Sequence, residues 1–196
     1  ADVDPLTDPD SALMEWMGTE EALFRTFERH LLQEPLDSAR GDVDVVVGVV
    51  LRALQRRRAR AGQAMENHVE ELLDRHGIVH TRGGITEGRK RPDFLFPGVD
   101  YYRDPSWPAD RLLMLGAKTT CRDRWRQVLT EADRIPDKHL ITLEAPISRS
   151  QVEEMRTHRL HLVIPVPLQV KFDPDDRTHL LSVQEALVLT RRAARI

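Results

Sequence analysis

The sequence predicts an α/β fold in which a central mixed sheet is flanked by helices, and three observations carry that prediction. From residue 93 onward, short apolar runs of strand length alternate with longer stretches of helical period. Helix starts are marked by Ser148 with Gln151 three residues on, and by Ser182 with Glu185. Proline and glycine punctuate the segments, as at Pro97 and Gly98 after the run DFLF.

Residues 1–18, acidic and proline-containing, read as a loose lead-in, with one domain over residues 19–196. From Thr19, EEALFRTFERHLL sets Leu23, Phe24, Phe27 and Leu31 at helical spacing, and Pro35 is expected to stop that helix. VDVVVGVVLRALQRRRAR opens as an apolar run that suits a strand or a buried helix; its length and alanine content favour helix. AGQAMENHVEELLDRHGI puts Met65, Val69, Leu72 and Leu73 on one helical face, with Gly77 ending it. TRGGITEGRKRP is a glycine-rich hairpin or loop. Thereafter DFLFPG, RLLMLGAKTT, KHLITLEA and HLVIPVP read as strands. RDRWRQVLTEADRI, SRSQVEEMRTHRL and SVQEALVLTRRAARI read as helices.

A chain of 196 residues with 40% hydrophobic and 31% charged content has the apolar mass for an ordinary globular core. No apolar run approaches the roughly 20 residues needed to span a bilayer, and the start carries no signal-peptide pattern. The lone Cys121 rules out an intrachain disulfide framework and a cysteine-based zinc cluster. These features predict a cytoplasmic protein without a membrane partner. Ala1 in place of methionine fits a trimmed product or an excised domain. The net charge of −3 argues by itself against nucleic acid, but its distribution argues for it. Base gathers into residues 52–60, 82–91 and 118–126, and a phosphate responds to the field within a Debye length of about 10 Å.

Asp93 opens one predicted strand and Lys118 lies near the end of the next. Neighbouring strands lie about 4.8 Å apart, so the carboxylate and the ammonium can meet at one sheet edge. Glu131 stands thirteen positions after Lys118, beside the apolar face that Trp125, Val128 and Leu129 give the following helix. Two carboxylates and a lysine converging this way form a site for a hard divalent cation with a charged helper. Asp93 and Glu131 would hold Mg²⁺, and Lys118 would orient an attacking water and stabilise charge on a phosphate.

The string RPDFLFPG…LMLGAKTTCRDRWRQVLTEADRIPDKHLITL resembles the PD-(D/E)XK nuclease superfamily. Within it, the string is similar to the EcoRII-type C-terminal catalytic domains, whose members cut DNA sites with CC/GG ends. The resemblance runs from about Arg58 onward and is densest from Arg91 to Leu143. A bare PD…K is a weak motif; the extended string is specific. It implies a restriction-endonuclease-like core and a Mg²⁺-dependent type II restriction endonuclease acting on double-stranded DNA. The implied enzyme is a homodimer with a CCWGG- or CCNGG-like site whose central bases leave the stack. The usual second acid, two residues before the lysine, is replaced here by Gly116, and in this branch Glu131 supplies it. Some relatives add a glutamate from a preceding helix, for which Glu66 is the best match, with Glu70 and Glu71 as competitors.

By the same resemblance, Arg122, Asp123 and Arg124 would read the outer G:C pairs. Arginine pairs bidentately with guanine O6 and N7, and a carboxylate accepts from cytosine N4. Arg126, Arg58 and Arg60 would contact phosphates. Trp125 and Cys121 are expected in the core, and Tyr101 and Tyr102 as loop anchors, with DNA contact as their alternative. Two rivals share these residues: a structure-specific repair or recombination nuclease of the same fold, and a catalytically silent DNA-binding module.

Overall fold

The computed structural model describes residues 3–39, 41–122 and 124–195. Two long helices come first, α1 (Pro9–Ser38) and α2 (Val43–Arg75). A five-stranded sheet follows in chain order, made of β1 (Thr81–Arg82), β2 (Phe94–Phe96), β3 (Leu113–Lys118), β4 (Lys138–Thr142) and β5 (Leu160–Val163). Helices α3 (Val99–Arg103), α4 (Trp125–Leu129) and α5 (Arg149–Thr157) connect successive strands from β2 onward. The chain ends in α6 (Val166–Gln169), α7 (Pro174–Arg177) and α8 (Val183–Ala193). Strands β1 to β3 are antiparallel and β3 to β5 parallel, which is the mixed sheet expected.

Side chains alternate across a strand, so the sheet builds one core on each face. Phe94, Phe96, Leu115, Ala117 and Ile141 pack with Met65, Val69 and Leu73 of α2 and with Val183 and Leu187 of α8. Leu95, Met114, Leu140 and Leu162 pack with Trp125 and Val128 of α4 and with Val152 and Met155 of α5. Lys118 continues the Met114–Gly116 side of β3 and so belongs to the second face.

Four expectations need correction. The lead-in is not loose from Pro9 on, because Asp8 caps α1 and Ala12 and Leu13 are buried. Asp10 is buried too, and its carboxylate accepts from Val166 N (2.9 Å), Val183 N (2.9 Å) and Gln184 N (3.1 Å). One side chain thereby caps α6 and α8, where free N–H groups and the helix dipole favour an anion. Pro35 does not stop α1, which runs on to Ser38; so near the end of a helix the ring interrupts little that follows. The two segments over 43–75 form one helix, closed at Gly77 (φ +64°) with Gly77 N on Asp74 O and Ile78 N on Leu73 O, both at 2.9 Å. Finally, the helix after Lys118 is only five residues long.

Ser182 and Glu185 cap α8 reciprocally as expected. Ser148 caps α5 through Gln151 N, but the Gln151 side chain accepts from Ser148 Oγ instead of bonding the cap backbone. No helix among the described residues is long and apolar enough to cross a membrane.

Candidate active site

Asp93 immediately precedes β2, and Lys118 is the last residue of β3. The antiparallel register Phe94↔Leu115 brings them to the same end of the strand pair. Asp93 Oδ2 accepts from Lys118 Nζ at 2.5 Å and from Ala117 N at 2.7 Å, and only 11% of either charged side chain is exposed. Both bonds fall on one oxygen, so among the described residues Oδ1 has no protein donor.

Glu131 arrives differently from the prediction. Helix α4 ends at Leu129, and Glu131 lies in the turn beyond it, with its N–H on Val128 O (3.1 Å) and Ala132 at φ +51°. Two lysines fix that turn. Lys138, buried at the start of β4, donates from Nζ to Glu131 O (2.5 Å), Ala132 O (3.0 Å) and Ile135 O (2.9 Å). Lys90 donates to Thr130 O at 2.5 Å. Tyr102 contributes from another side, donating to Glu87 at 2.7 Å and accepting from Arg134 N at 3.1 Å, so it anchors the loop as expected.

Glu131 is 4% exposed, and among the described residues its Oε2 has no hydrogen-bond partner. Burial first, and then the Asp93 charge, raise its pKa to about 7 against the opposite pull of Lys118, Lys138 and Lys90. This mutual influence puts Asp93, Lys118 and Glu131 in one neighbourhood. A buried carboxylate oxygen without a donor is costly and rare unless a cation completes it. Two carboxylates suit Mg²⁺, which keeps several waters of its own. Among the described residues, no group of three or more His, Cys, Asp or Glu is placed to form an all-protein metal cage.

The packing at Gly116 leaves no room for an acid on the strand itself. A Cβ built at 116 would lie 3.3 Å from Val128 and 3.4 Å from Leu140, so α4 closes directly over the strand there. A carboxylate at 116 would have to displace that packing; the turn after α4 brings one to the same face without doing so.

A family model described as "EcoRII C terminal" matches residues 24–187. The chain belongs to the EcoRII C-terminal family. It is 39% identical to the type II restriction enzyme EcoRII of Escherichia coli over 177 residues, which is 90% of this chain and 44% of that protein. It is 27% identical to the type II restriction enzyme SsoII of Shigella sonnei over 162 residues, 75% of this chain and 52% of that one. The chain therefore spans about half the length of the curated relatives it matches. Its fold matches that of metal-depleted Ecl18kI in complex with uncleaved DNA (TM-score 0.74, 23% identity, 96% of this chain and 70% of that one). It also matches the PspGI–substrate DNA complex (TM-score 0.72, 13% identity, 94% and 80%).

In this EcoRII C-terminal domain, the remaining predicted residues divide into groups. Arg122 and Arg124 are exposed in the loop between β3 and α4, and Asp123 lies outside the described residues. Arg122 donates from Nε to Glu144 Oε1 at 2.7 Å. Arg126 is exposed but pairs with Glu154 (2.6 Å) and lies 4.6 Å over the Trp125 ring. Arg58 is exposed on α2. Arg60 pairs with Glu20 and Glu21 and stacks 4.1 Å over Phe24, so its charge ties α1 to α2.

Glu66 has a partner on the sheet. It accepts from Arg82 at 3.0 Å, and Arg82 also bonds Glu70 and Asn67, because this side of α2 faces the arginine of β1. Trp125 and Cys121 are fully buried, and burial pushes the Cys121 thiol up to about 12, which leaves it inert.

Lys138, Lys90 and Glu144 were missed. Lys138 in PDKHLIT reads as a surface lysine at a strand start, and only the fold reveals the carbonyls that surround it.

Proposed function

We propose that this chain is the catalytic part of a type II restriction endonuclease that hydrolyses both strands of double-stranded DNA at a short site with CC/GG ends, of the CCWGG or CCNGG kind. The observation that carries the reading is the buried, partnerless Oε2 of Glu131 beside the Asp93–Lys118 pair. Family membership and the DNA seen with Ecl18kI and PspGI support double-stranded DNA as the substrate.

Asp93 and Glu131 would hold one Mg²⁺ between them. Bound there, Mg²⁺ supplies charge neutralisation at the attacked phosphate and acidifies a water for attack. Lys118 keeps its ammonium at the mouth of the pair through Asp93 Oδ2, where its remaining N–H groups orient the attacking water and meet charge developing on a phosphate oxygen. Lys138 and Lys90 hold the turn that delivers Glu131, so the carboxylate stays aimed inward. Glu66 takes an auxiliary place: a DNA phosphate drawing Arg82 away would free its carboxylate to order a water.

Arg122, Asp123 and Arg124 would read the outer G:C pairs, and exposed Arg58 and Arg126 would meet phosphates. A two-fold site needs two equivalent centres, which favours a symmetric homodimer. Asp93→Ala and Lys118→Ala test the reading: each should abolish cleavage while leaving DNA binding largely intact, and full cleavage by either variant would remove the assignment.

A further inference from the structure

Arg122 is held at three points. Its backbone N–H reaches Glu144 Oε2 at 3.1 Å, its carbonyl accepts from Gln151 Nε2 at 3.4 Å, and its Nε donates to Glu144 Oε1 at 2.7 Å. Glu144 Oε2 also accepts from Cys121 N at 2.6 Å, so one carboxylate fixes the start of the loop and the arginine stem together. Glu144 comes two residues after Thr142, and Thr142 stands opposite Lys118 in the parallel β3–β4 register. The loop is therefore pinned across the same strand ends that carry the catalytic lysine.

Burial is unequal across this pair: 12% of the Glu144 side chain is exposed, against 80% for Arg122. A guanidinium presents five N–H groups in a rigid fork. The Glu144 bond uses the Nε position, and among the described residues neither terminal nitrogen of Arg122 has an acceptor. The two terminal groups, without an acceptor among the described residues, are the end of the fork that a guanine O6/N7 edge can accept. Held by one carboxylate, a side chain that otherwise samples many rotamers is already ordered before it meets a base.

We propose that Glu144 is a specificity-positioning residue, whose carboxylate preorganises Arg122 to read guanine and registers the reading loop against Lys118. The proposal rests on the assignment of Arg122 as a base reader, and it adds a residue that acts through Arg122. Glu144 belongs to the connection between β4 and α5, not to the reading run itself. Its role is to convert a flexible exposed arginine into a fixed one.

Equilibrium DNA binding of the full chain in EDTA tests this without cleavage. The probes are a duplex carrying CCAGG and the same duplex with its outer pairs changed to give ACAGT. Glu144→Gln keeps an acceptor oxygen for the Cys121 and Arg122 amides but gives up the charge that holds Nε. It should lose about tenfold in affinity for the first duplex and little for the second, with the melting temperature nearly unchanged. Glu144→Asp, one methylene shorter with the charge kept, should move the ratio in the same direction and protects the test against a misfolded Gln variant. Combining Glu144→Gln with Arg122→Ala should discriminate no worse than Arg122→Ala alone, because both act through one side chain. An unchanged ratio, or an equal loss on both duplexes, would overturn the proposal. If Arg122→Ala itself leaves the ratio intact, the base-reading assignment fails first, and the two failures are told apart.

Discussion

Lys118 and Asp93 meet through one oxygen: the lysine ammonium lies 2.5 Å from Asp93 Oδ2, the atom that also accepts the Ala117 amide. Asp93 is thereby oriented by the strand that carries its partner, and Oδ1 is left for another ligand. An arginine at 118 would keep the charge but spread it over a planar fork, in place of the compact ammonium that meets Asp93 Oδ2. Lys118→Arg should therefore fail to rescue cleavage, with a loss of roughly 10²-fold or more in single-turnover rate, while DNA affinity stays within a few-fold. Near-normal turnover by the arginine variant would show that any cation serves.

Glu131 gives a pH signature in the metal-free protein. Its pKa stands at about 7 in the fold, raised first by burial and then by the Asp93 charge, against an ordinary value of 4.5. A carboxyl whose pKa is raised by folding stabilises the fold fully below its unfolded pKa, and that contribution is lost as pH rises through the folded one. Relative to Glu131→Gln, the wild-type chain in EDTA should therefore lose stability between about pH 4.5 and pH 7, by on the order of 3 kcal/mol. Denaturant unfolding of both proteins across that range measures the difference. Millimolar Mg²⁺ should restore most of the loss above pH 7, and a flat difference would show that Glu131 is not the buried, uncompensated carboxylate described.

Lys138 makes its three bonds to carbonyls of the turn that contains Glu131, so its deletion should act on metal affinity through position. Lys138→Met fills the volume but leaves three carbonyls without their donor. Each buried acceptor left unpaired costs about 1–3 kcal/mol. We expect a destabilised protein whose half-maximal Mg²⁺ concentration for cleavage rises several-fold, with much of the rate recovered at saturating metal. Metal titration followed by calorimetry should show the same weakening in the absence of DNA. Unaltered metal affinity would confine Lys138 to stability.

Asp10 joins the beginning of the chain to its end by capping α6 and α8 at once. Asp10→Ala removes three charge-assisted bonds and should lower unfolding free energy by about 2–4 kcal/mol. Guanidinium unfolding checks this, and a change below about 0.5 kcal/mol would mean that α1 docks without the cap.

The sheet was legible in the sequence because its strands are apolar runs bounded by proline, glycine and capping serines, and each of those signals is local. The Asp93–Lys118 meeting was legible for the same reason: both residues sit at strand ends, and adjacent antiparallel strands bring such ends together. The setting of Glu131 differs from the one its sequence suggests. The pattern RDRWRQVLTEADRI has helical period throughout, yet α4 stops at Leu129. Ala132 at φ +51° and the Lys138 carbonyl bonds hold the chain in a turn there, and a contact with a lysine seven residues on is a tertiary fact that no periodicity encodes. The partners of Arg60 were hidden for a related reason. A cluster of arginines looks the same in sequence whether it faces a phosphate or two glutamates of a helix folded back forty residues away. The Asp10 cap spans more than 150 residues and had no local signature at all.

The most direct test of the whole account is digestion of a DNA of known sequence by the wild-type chain and by Glu131→Gln, each with Mg²⁺ and with EDTA, followed by mapping of the cut ends. The account predicts discrete fragments from the wild-type chain with Mg²⁺ alone, every end falling at a CC/GG-flanked site, and no fragments from Glu131→Gln. Discrete cutting in EDTA, or by Glu131→Gln at the wild-type rate, would contradict it.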